Sequence, residues 1–300
     1  MDIPAAEIAI TPELVAKLLR TQHPDLADRR LTPVANGWDN AIYRLGEDMC
    51  IRLPRRQLAA DLVDNEQRWL PGLASRLEVA IPAPLRRGEP SPDYPWAWSI
   101  TPWFPGQAAL DIAPAQRGAI AADLARFLTA LHIPAPAAAP RNPVRGVALA
   151  SRAPAVHERL DSGRIPRADE LRRLWDELAA LPLWAGPPLW LHGDLHPANL
   201  ILTHRGDTTA PRLAAVIDFG DLTSGDPATD LAAAWLVFDA EAHARFRAHL
   251  DQRDDIDATT WGRARGWALN LGVAIAASSD DTPRMAALAA HTLQRVLTHP

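Results

Sequence analysis

The stretch Trp190-Leu191-His192-Gly193-Asp194-Leu195-His196-Pro197-Ala198-Asn199 decides the reading, together with Val216-Ile217-Asp218-Phe219-Gly220, whose Asp218 stands nineteen residues after Asn199. A carboxylate, Asp194, precedes an amide, Asn199, by five positions, and a second carboxylate opens an Asp-Phe-Gly turn. Apolar, strand-like residues flank both segments: Leu189 to Leu191, Leu200 to Leu202 and Leu213 to Ile217. Amide and carboxylate oxygens are hard donors of the kind magnesium prefers, and that ion completes its shell with water and phosphate oxygens. Each acid also has a bland reading, Asp194 as a turn residue bonding its own backbone and Asp218 as a strand-end cap.

The order D-x-x-x-x-N and then D-F-G resembles the protein kinases. The form H-G-D-L-H-P-A-N is closer to the aminoglycoside phosphotransferase family and its relatives, the small-molecule kinases of choline, homoserine and similar metabolites. The run Gly225-Asp226-Pro227-Ala228-Thr229-Asp230-Leu231-Ala232 is similar to a segment that follows D-F-G in that family. No A-P-E segment follows, and Gly220 to Asp226 leaves no room for a long activation loop. The resemblance implies roles. Asp194 becomes the catalytic base, His192 orients its loop, Asn199 and Asp218 hold Mg2+, and Asp230 ties the following helix to the loop. It also implies ATP as phosphate donor, with GTP left open.

Further upstream, Met49-Cys50-Ile51-Arg52-Leu53 reads as the third strand. The family places a lysine there that grips nucleotide phosphates and pairs with a helix glutamate. Arg52 keeps the charge and can hold phosphate oxygens bidentately, with a different geometry. Leu62, Val63, Glu66 and Leu70 share one stripe of a helix over 58–73, so Glu66 faces inward as the expected partner of Arg52. The alternative is an exposed Arg52 and an end-of-stripe acid. Adenine is expected in an apolar cleft, bonded to backbone near Trp98, Ser99 and Ile100. The turn Asn36-Gly37-Trp38-Asp39-Asn40 has one glycine, and it could contact phosphates only through backbone N–H groups.

Thr11 caps a helix over 12–20. Strands over 31–35, 41–45, 49–53, 81–86 and 97–101 suggest a small antiparallel sheet, with Pro54 closing the third. Pro102-Trp103-Phe104-Pro105-Gly106 reads as a linker. Helices dominate afterwards: one marked by Ile120, Leu124, Phe127, Leu128 and Leu131, then 171–181, 227–238, 241–250, 260–278 and 283–297. Residues 134–143 read as an exposed Pro/Ala loop. Pattern and resemblance together give an α+β class with a bilobal protein-kinase-like fold. The expected division is a nucleotide-binding lobe over 1–101, a linker over 102–106, and a catalytic and acceptor-binding lobe over 107–300.

The 300 residues can bury a large core, and 48% are hydrophobic. No apolar run reaches the roughly 20 residues of a membrane span, and no basic-then-apolar start marks a signal peptide. The single cysteine, Cys50, excludes an internal disulfide, so a cytoplasmic setting is expected. A net charge of −5 argues against nucleic acid as partner and is compatible with a cationic acceptor. Asp239, Glu241, Asp280 and Asp281 are candidate acids for such a pocket, with solvated helix ends as the alternative. Trp235 is a further candidate for reaching the acceptor, against the usual core role of tryptophan.

The expected activity is ATP-dependent transfer of the γ-phosphate to a hydroxyl of a small molecule. An aminoglycoside or related antibiotic stays open beside a metabolite such as choline, a hydroxy amino acid or a sugar. His192, Asp194 and His196 alternate and would share one face of a true strand, which leaves a zinc-dependent hydrolase as a rival. A catalytically inactive binding module is the third reading, supported only by Arg52.

Overall fold

The computed structural model describes residues 5–36, 39–204, 210–279 and 282–299. The chain divides into two compact units: one runs to Pro105 and takes in Asp218–Gly220, the other comprises Gly106–Ile217 and Asp221 onward.

In the first unit, α1 (Pro12–Gln22) begins where the Thr11 hydroxyl accepts the Leu14 N–H at 3.3 Å, with proline in the first turn. Strands β1 (Leu31–Asn36), β2 (Asn40–Leu45) and β3 (Met49–Pro54) follow, then α2 (Gln57–Ala74), β4 (Arg86–Gly88) and β5 (Trp98–Pro102). The sheet is antiparallel throughout in the order β1-β2-β3-β5-β4. Strand β2 alternates, turning Ala41, Tyr43 and Leu45 inward, whereas the central β3 is buried along its whole length. Leu45, Ile51, Leu53, Trp98 and Ile100 form the core with Val15, Leu18 and Leu19 of α1.

One expectation changes here. The strand read over 81–86 is paired only from Arg86, because Pro82 and Pro84 cannot donate to a ladder. Pro33 is tolerated because β1 lies at the sheet edge, where a bulge separates Pro33 from Ala35.

The second unit contains, in order, β6 (Gln107–Ala108), α3 (Pro114–Arg117), α4 (Ala121–Leu131), α5 (Ala153–Asp161), α6 (Ala168–Ala179) and β7 (Leu189–Leu191). Then come β8 (Leu200–Thr203), β9 (Arg212–Val216), β10 (Thr223–Gly225), α7 (Ala228–Leu231), α8 (Ala233–Val237), α9 (Ala240–Leu250), α10 (Ala258–Ser278) and α11 (Pro283–Thr298). Strand β7 pairs with β10, and β8 pairs with both β6 and β9. Helix α10 buries most of its length and serves as the post on which α5, α6, α7 and α11 pack. None of the described helices is long and apolar enough to cross a membrane.

The helix expected over 227–238 is two short helices that meet at Ala232. Residues 134–143 are a largely exposed loop that is tied down at a few points: Ala139 is buried, the Ala135 N–H donates to Pro188 O, and Pro140 O accepts the Thr223 hydroxyl. Polar backbone in this segment is satisfied by the strands it crosses. Trp235 is core, donating through Nε1 to His299 O at 3.0 Å and meeting His243 edge-on.

Candidate active site

Strand β7 delivers the chain to His192, and Gly193 turns it with φ +88°. A Cβ at Gly193 would overlap the carbonyl oxygen of Asp221, so both space and backbone angle require glycine. The turn is pinned by one carboxylate. Asp230, fully buried, accepts the His192 N–H at 2.8 Å and the Gly193 N–H at 2.9 Å, and meets His132 Nε2 at 3.1 Å. Burial alone would raise the Asp230 carboxyl; His132, His192 and the Gly193 N–H outweigh it and hold it below the usual range.

The rest of the loop is fixed in the same way. The Asp194 N–H donates to His192 Nδ1 at 3.2 Å, so His192 carries its proton on Nε2 and donates it to Ile217 O at 2.9 Å. Asn199 donates through Nδ2 to Asp194 O at 2.9 Å, which leaves its Oδ1 as the oxygen suited to a metal. The Ile217 N–H donates to Asn199 O at 2.9 Å and so ties the residue before Asp218 to this amide.

Both carboxylate oxygens of Asp194 have partners: Arg145 Nη2 is 3.2 Å from Oδ1 and His196 Nε2 is 3.3 Å from Oδ2. Burial would raise this carboxyl, but His196, Arg145 and His192 outweigh it and hold it far below the ordinary range. Arg145 also lies 3.6 Å from Asp221 Oδ2, and the Asn142 amide donates to Asp221 Oδ1 at 2.6 Å. Burial pushes the Asp221 carboxyl up against the pull of Arg145, and the Asp194 charge adds to the rise.

In the first unit, Arg52 on β3 donates through Nη1 to both oxygens of Glu66 on α2, at 3.0 and 2.8 Å. Both residues are buried. Arg52 Nη2 stands 3.9 Å from Asp218 Oδ1. Burial would lower the Arg52 pKa, and the Glu66 and Asp218 carboxylates more than reverse this, so the guanidinium stays charged. Asp218 sits in the left-handed region at φ +64° with its carboxylate well exposed. A non-glycine residue held there is strained, as functional residues often are.

Ser99 and Ile100 require a correction. Both lie mid-strand, paired with Arg52 and Ile51 on one side and with Arg87 and Arg86 on the other. Ile100 O accepts the Leu85 N–H, and Trp98 O accepts from Gln67 Nε2. Their backbone is spent within the sheet; the pairing with β4 ends at Ile100, so the open edge of β5 begins at Thr101. Gly37 and Trp38 of the phosphate-facing turn, and Asp280 and Asp281 of the acidic set, lie outside the described residues. Of the other acids, Asp239 caps α9 by accepting the Ala242 N–H, and Glu241 pairs with Arg245.

Sequence reasoning missed Arg145, Asn142, Asp221 and His132. Only the adjacency of Asp221 to Asp218-Phe219-Gly220 was a signal; the others meet their partners Asp194, Asp221 and Asp230 across 49 to 98 residues of sequence. The zinc reading fails on His192, because both ring nitrogens serve the backbone. Among the described residues no three His, Cys, Asp or Glu side chains group as metal ligands.

A small antiparallel sheet unit and a mostly helical unit carrying a pinned Asp194 loop define a kinase-like phosphotransferase. The chain matches the model of the APH phosphotransferase enzyme family over residues 30–267 and belongs to that family. It is thus a phosphotransferase with an alcohol group as acceptor. No curated protein matches the sequence. The GDP complex of aminoglycoside 2′-phosphotransferase-IIIa superposes with a TM-score of 0.70 at 19% identity, over 96% of this chain and 99% of that one. Macrolide 2′-phosphotransferase MphH from Brachybacterium faecium, an apoenzyme, gives 0.61 at 20% identity, over 96% and 99%. The streptomycin–ATP ternary complex of APH(2″)-IIa gives 0.61 at 18% identity, over 90% and 91%.

Proposed function

We propose that the protein moves the γ-phosphate of a nucleoside triphosphate, ATP in the first instance, to a hydroxyl of a small molecule. The observation that carries this reading is the Asp194 carboxylate, held ionised and oriented by Arg145 and His196 on a loop that Asp230 pins at two backbone N–H groups. The hydroxyl oxygen forms a bond to the γ-phosphorus, the bridging P–O bond breaks, and the nucleoside diphosphate leaves. The hydroxyl proton passes toward Asp194, whose work is mainly orientation because its basicity is low.

Arg52, braced by Glu66, supplies a fixed positive fork for phosphate oxygens. The edge of the base is read on the open side of β5 beyond Ile100. Asn199 Oδ1 and the exposed Asp218 carboxylate would hold Mg2+, two hard oxygens on residues fixed by other contacts, and the ion would neutralise phosphate charge. Structural relatives carry GDP, ADP or ATP, which supports a nucleotide donor and keeps GTP in the comparison. Relatives bound to kanamycin, streptomycin and gentamicin, and the macrolide enzymes, make antibiotics the first acceptors to test. Use of ATP fits a cytoplasmic setting.

The test is nucleoside-diphosphate release with ATP and GTP over aminoglycosides, macrolides, choline, sugars and hydroxy acids. Asp194→Asn should keep nucleotide affinity and lose about two decades of turnover or more. A variant that retains half the wild-type rate would show that Asp194 does not position the hydroxyl.

A further inference from the structure

The edge of β5 beyond Ile100 has a defined hydrogen-bonding character. Ile100 O accepts the Leu85 N–H on the β4 side, and the Trp103 N–H donates to Asp48 O at 2.8 Å on the β3 side. Backbone groups alternate sides along a strand. Pro102, two residues past Ile100 and opposite Met49 of β3, therefore turns its carbonyl to the side that β4 leaves open. Its ring carries no N–H, and proline is tolerated there because no ladder bond to β3 is lost. Pro102 O also stands 3.8 Å from Cys50 Sγ, which meets Thr101 Oγ1 at 3.1 Å. Cys50 lies two residues from Arg52 on β3 and shares its face of the sheet. The open carbonyl and the guanidinium offered to phosphates thus belong to one face of the first unit.

Donors are scarce around this carbonyl. Pro105, like Pro102, has no N–H, and the Trp103 N–H is spent on Asp48 O. By the same alternation the next N–H on the open side is that of Phe104, which is partly exposed and meets no acceptor among the described residues. The segment presents an acceptor first and a donor second. Adenine complements that order, with its 6-amino group as donor and N1 as acceptor. Guanine reverses it, with O6 as acceptor and N1–H as donor. In the same pose guanine O6 would face Pro102 O, two acceptors with no proton between them.

We propose that Pro102 makes the nucleotide site selective for adenine: its carbonyl accepts the 6-amino group, and its missing N–H removes the donor that guanine O6 would need. This rests on the nucleoside-triphosphate donor of the phosphotransfer reading and adds which base that donor carries. Relatives that hold GDP share the fold, so the choice of base lies in local chemistry of this kind rather than in the architecture. Pro102 ranks nucleotides by affinity and leaves the chemistry at Asp194 unchanged.

The experiment is calorimetry of the magnesium complexes of ATP, GTP, ITP and purine riboside triphosphate on wild type and Pro102→Ala, with melting temperature as control. ITP keeps O6 and N1–H without guanine's amino group. Purine riboside triphosphate keeps N1 and lacks the 6-amino group. Wild type should bind ATP roughly ten-fold or more tightly than GTP and ITP, with purine riboside triphosphate in between, as one or two hydrogen bonds gained or lost require. Pro102→Ala restores an N–H on the open edge and should narrow the ATP:GTP ratio by about three-fold or more. Reading a ratio cancels any loss of affinity that a loosened edge imposes on all nucleotides alike. ATP and GTP bound equally by wild type, purine riboside triphosphate bound as tightly as ATP, or a ratio that Pro102→Ala leaves unchanged overturns the assignment. A failed phosphotransfer reading shows itself separately, as diphosphate release that does not depend on Asp194 while the ranking of bases persists.

Discussion

Asp230 is the residue whose removal should reach furthest. Asp230→Ala strands two backbone donors, the N–H groups of His192 and Gly193, inside the protein. A buried donor left without a partner costs about 1–3 kcal/mol, so the pair costs about 2–6 kcal/mol. Loss of the His132 contact adds about 1.5–3 kcal/mol for a charge-assisted bond. A loss of about 4 kcal/mol or more is a large share of the roughly 5–15 kcal/mol that holds a domain folded. Asp230→Asn keeps the shape but offers one acceptor oxygen, and its NH2 faces a donor, so about half of that loss is expected.

Urea unfolding of the three proteins gives the energies, and amide hydrogen exchange at His192 and Gly193 gives the local effect. Both amides should exchange faster in each variant. The pH dependence has a definite sign. The folded pKa of Asp230 is depressed, so its stabilisation is present above the unfolded value of about 4 and is lost as pH falls through the folded value. The gap between wild type and Asp230→Asn should hold steady from neutral pH down to about 4 and shrink below it. Asp230→Ala within about 1 kcal/mol of wild type, with both amides still protected, would refute the account of the loop.

Arg52→Ala should weaken ATP binding and destabilise the first unit, since removing one member of a buried pair costs about 3–5 kcal/mol; Arg52→Lys should be milder, and ATP affinity unchanged in Arg52→Ala would make the residue a bystander. Gly193→Ala should lower turnover more than nucleotide affinity, because it forces the Asp194 turn off φ +88° and into Asp221 O, and wild-type kinetics would contradict that geometry. Chelation by EDTA should cut nucleotide affinity sharply in wild type and have little further effect in Asp218→Ala, as followed by calorimetry.

The parts of the molecule that were legible beforehand are those in which chemistry and spacing are local. Asp194, Asn199 and Asp218 announce themselves within thirty residues, and the alternation of β2 or the Leu62–Glu66–Leu70 stripe needs only the periods of strand and helix. Pro82 and Pro84 are equally local signals, and they keep strand pairing from starting before Arg86. Arg145 and His132 were invisible for a different reason. Each is one polar residue in an apolar or Pro-rich run, and its partner lies in a distant segment. Nothing local distinguishes Arg145 from the chain's many other arginines until Asp194 and Asp221 stand beside it. The error over Ser99 and Ile100 has the same origin, because which backbone groups remain unpaired depends on where β4 happens to stop.

The arginine on β3 also decides which covalent chemistry can reach this protein. The chain contains one lysine, Lys17, on α1 and paired with Asp93 at 2.8 Å. Acylating and Schiff-base reagents that target a strand lysine in kinase-like folds find no amine at Arg52, since a guanidinium is not deprotonated at working pH. An amine-directed dye therefore meets a single lysine side chain, remote in sequence from every residue of the Asp194 loop, besides any free α-amine. A dicarbonyl that condenses with guanidinium groups is the matching reagent for Arg52, and bound nucleotide should shield it.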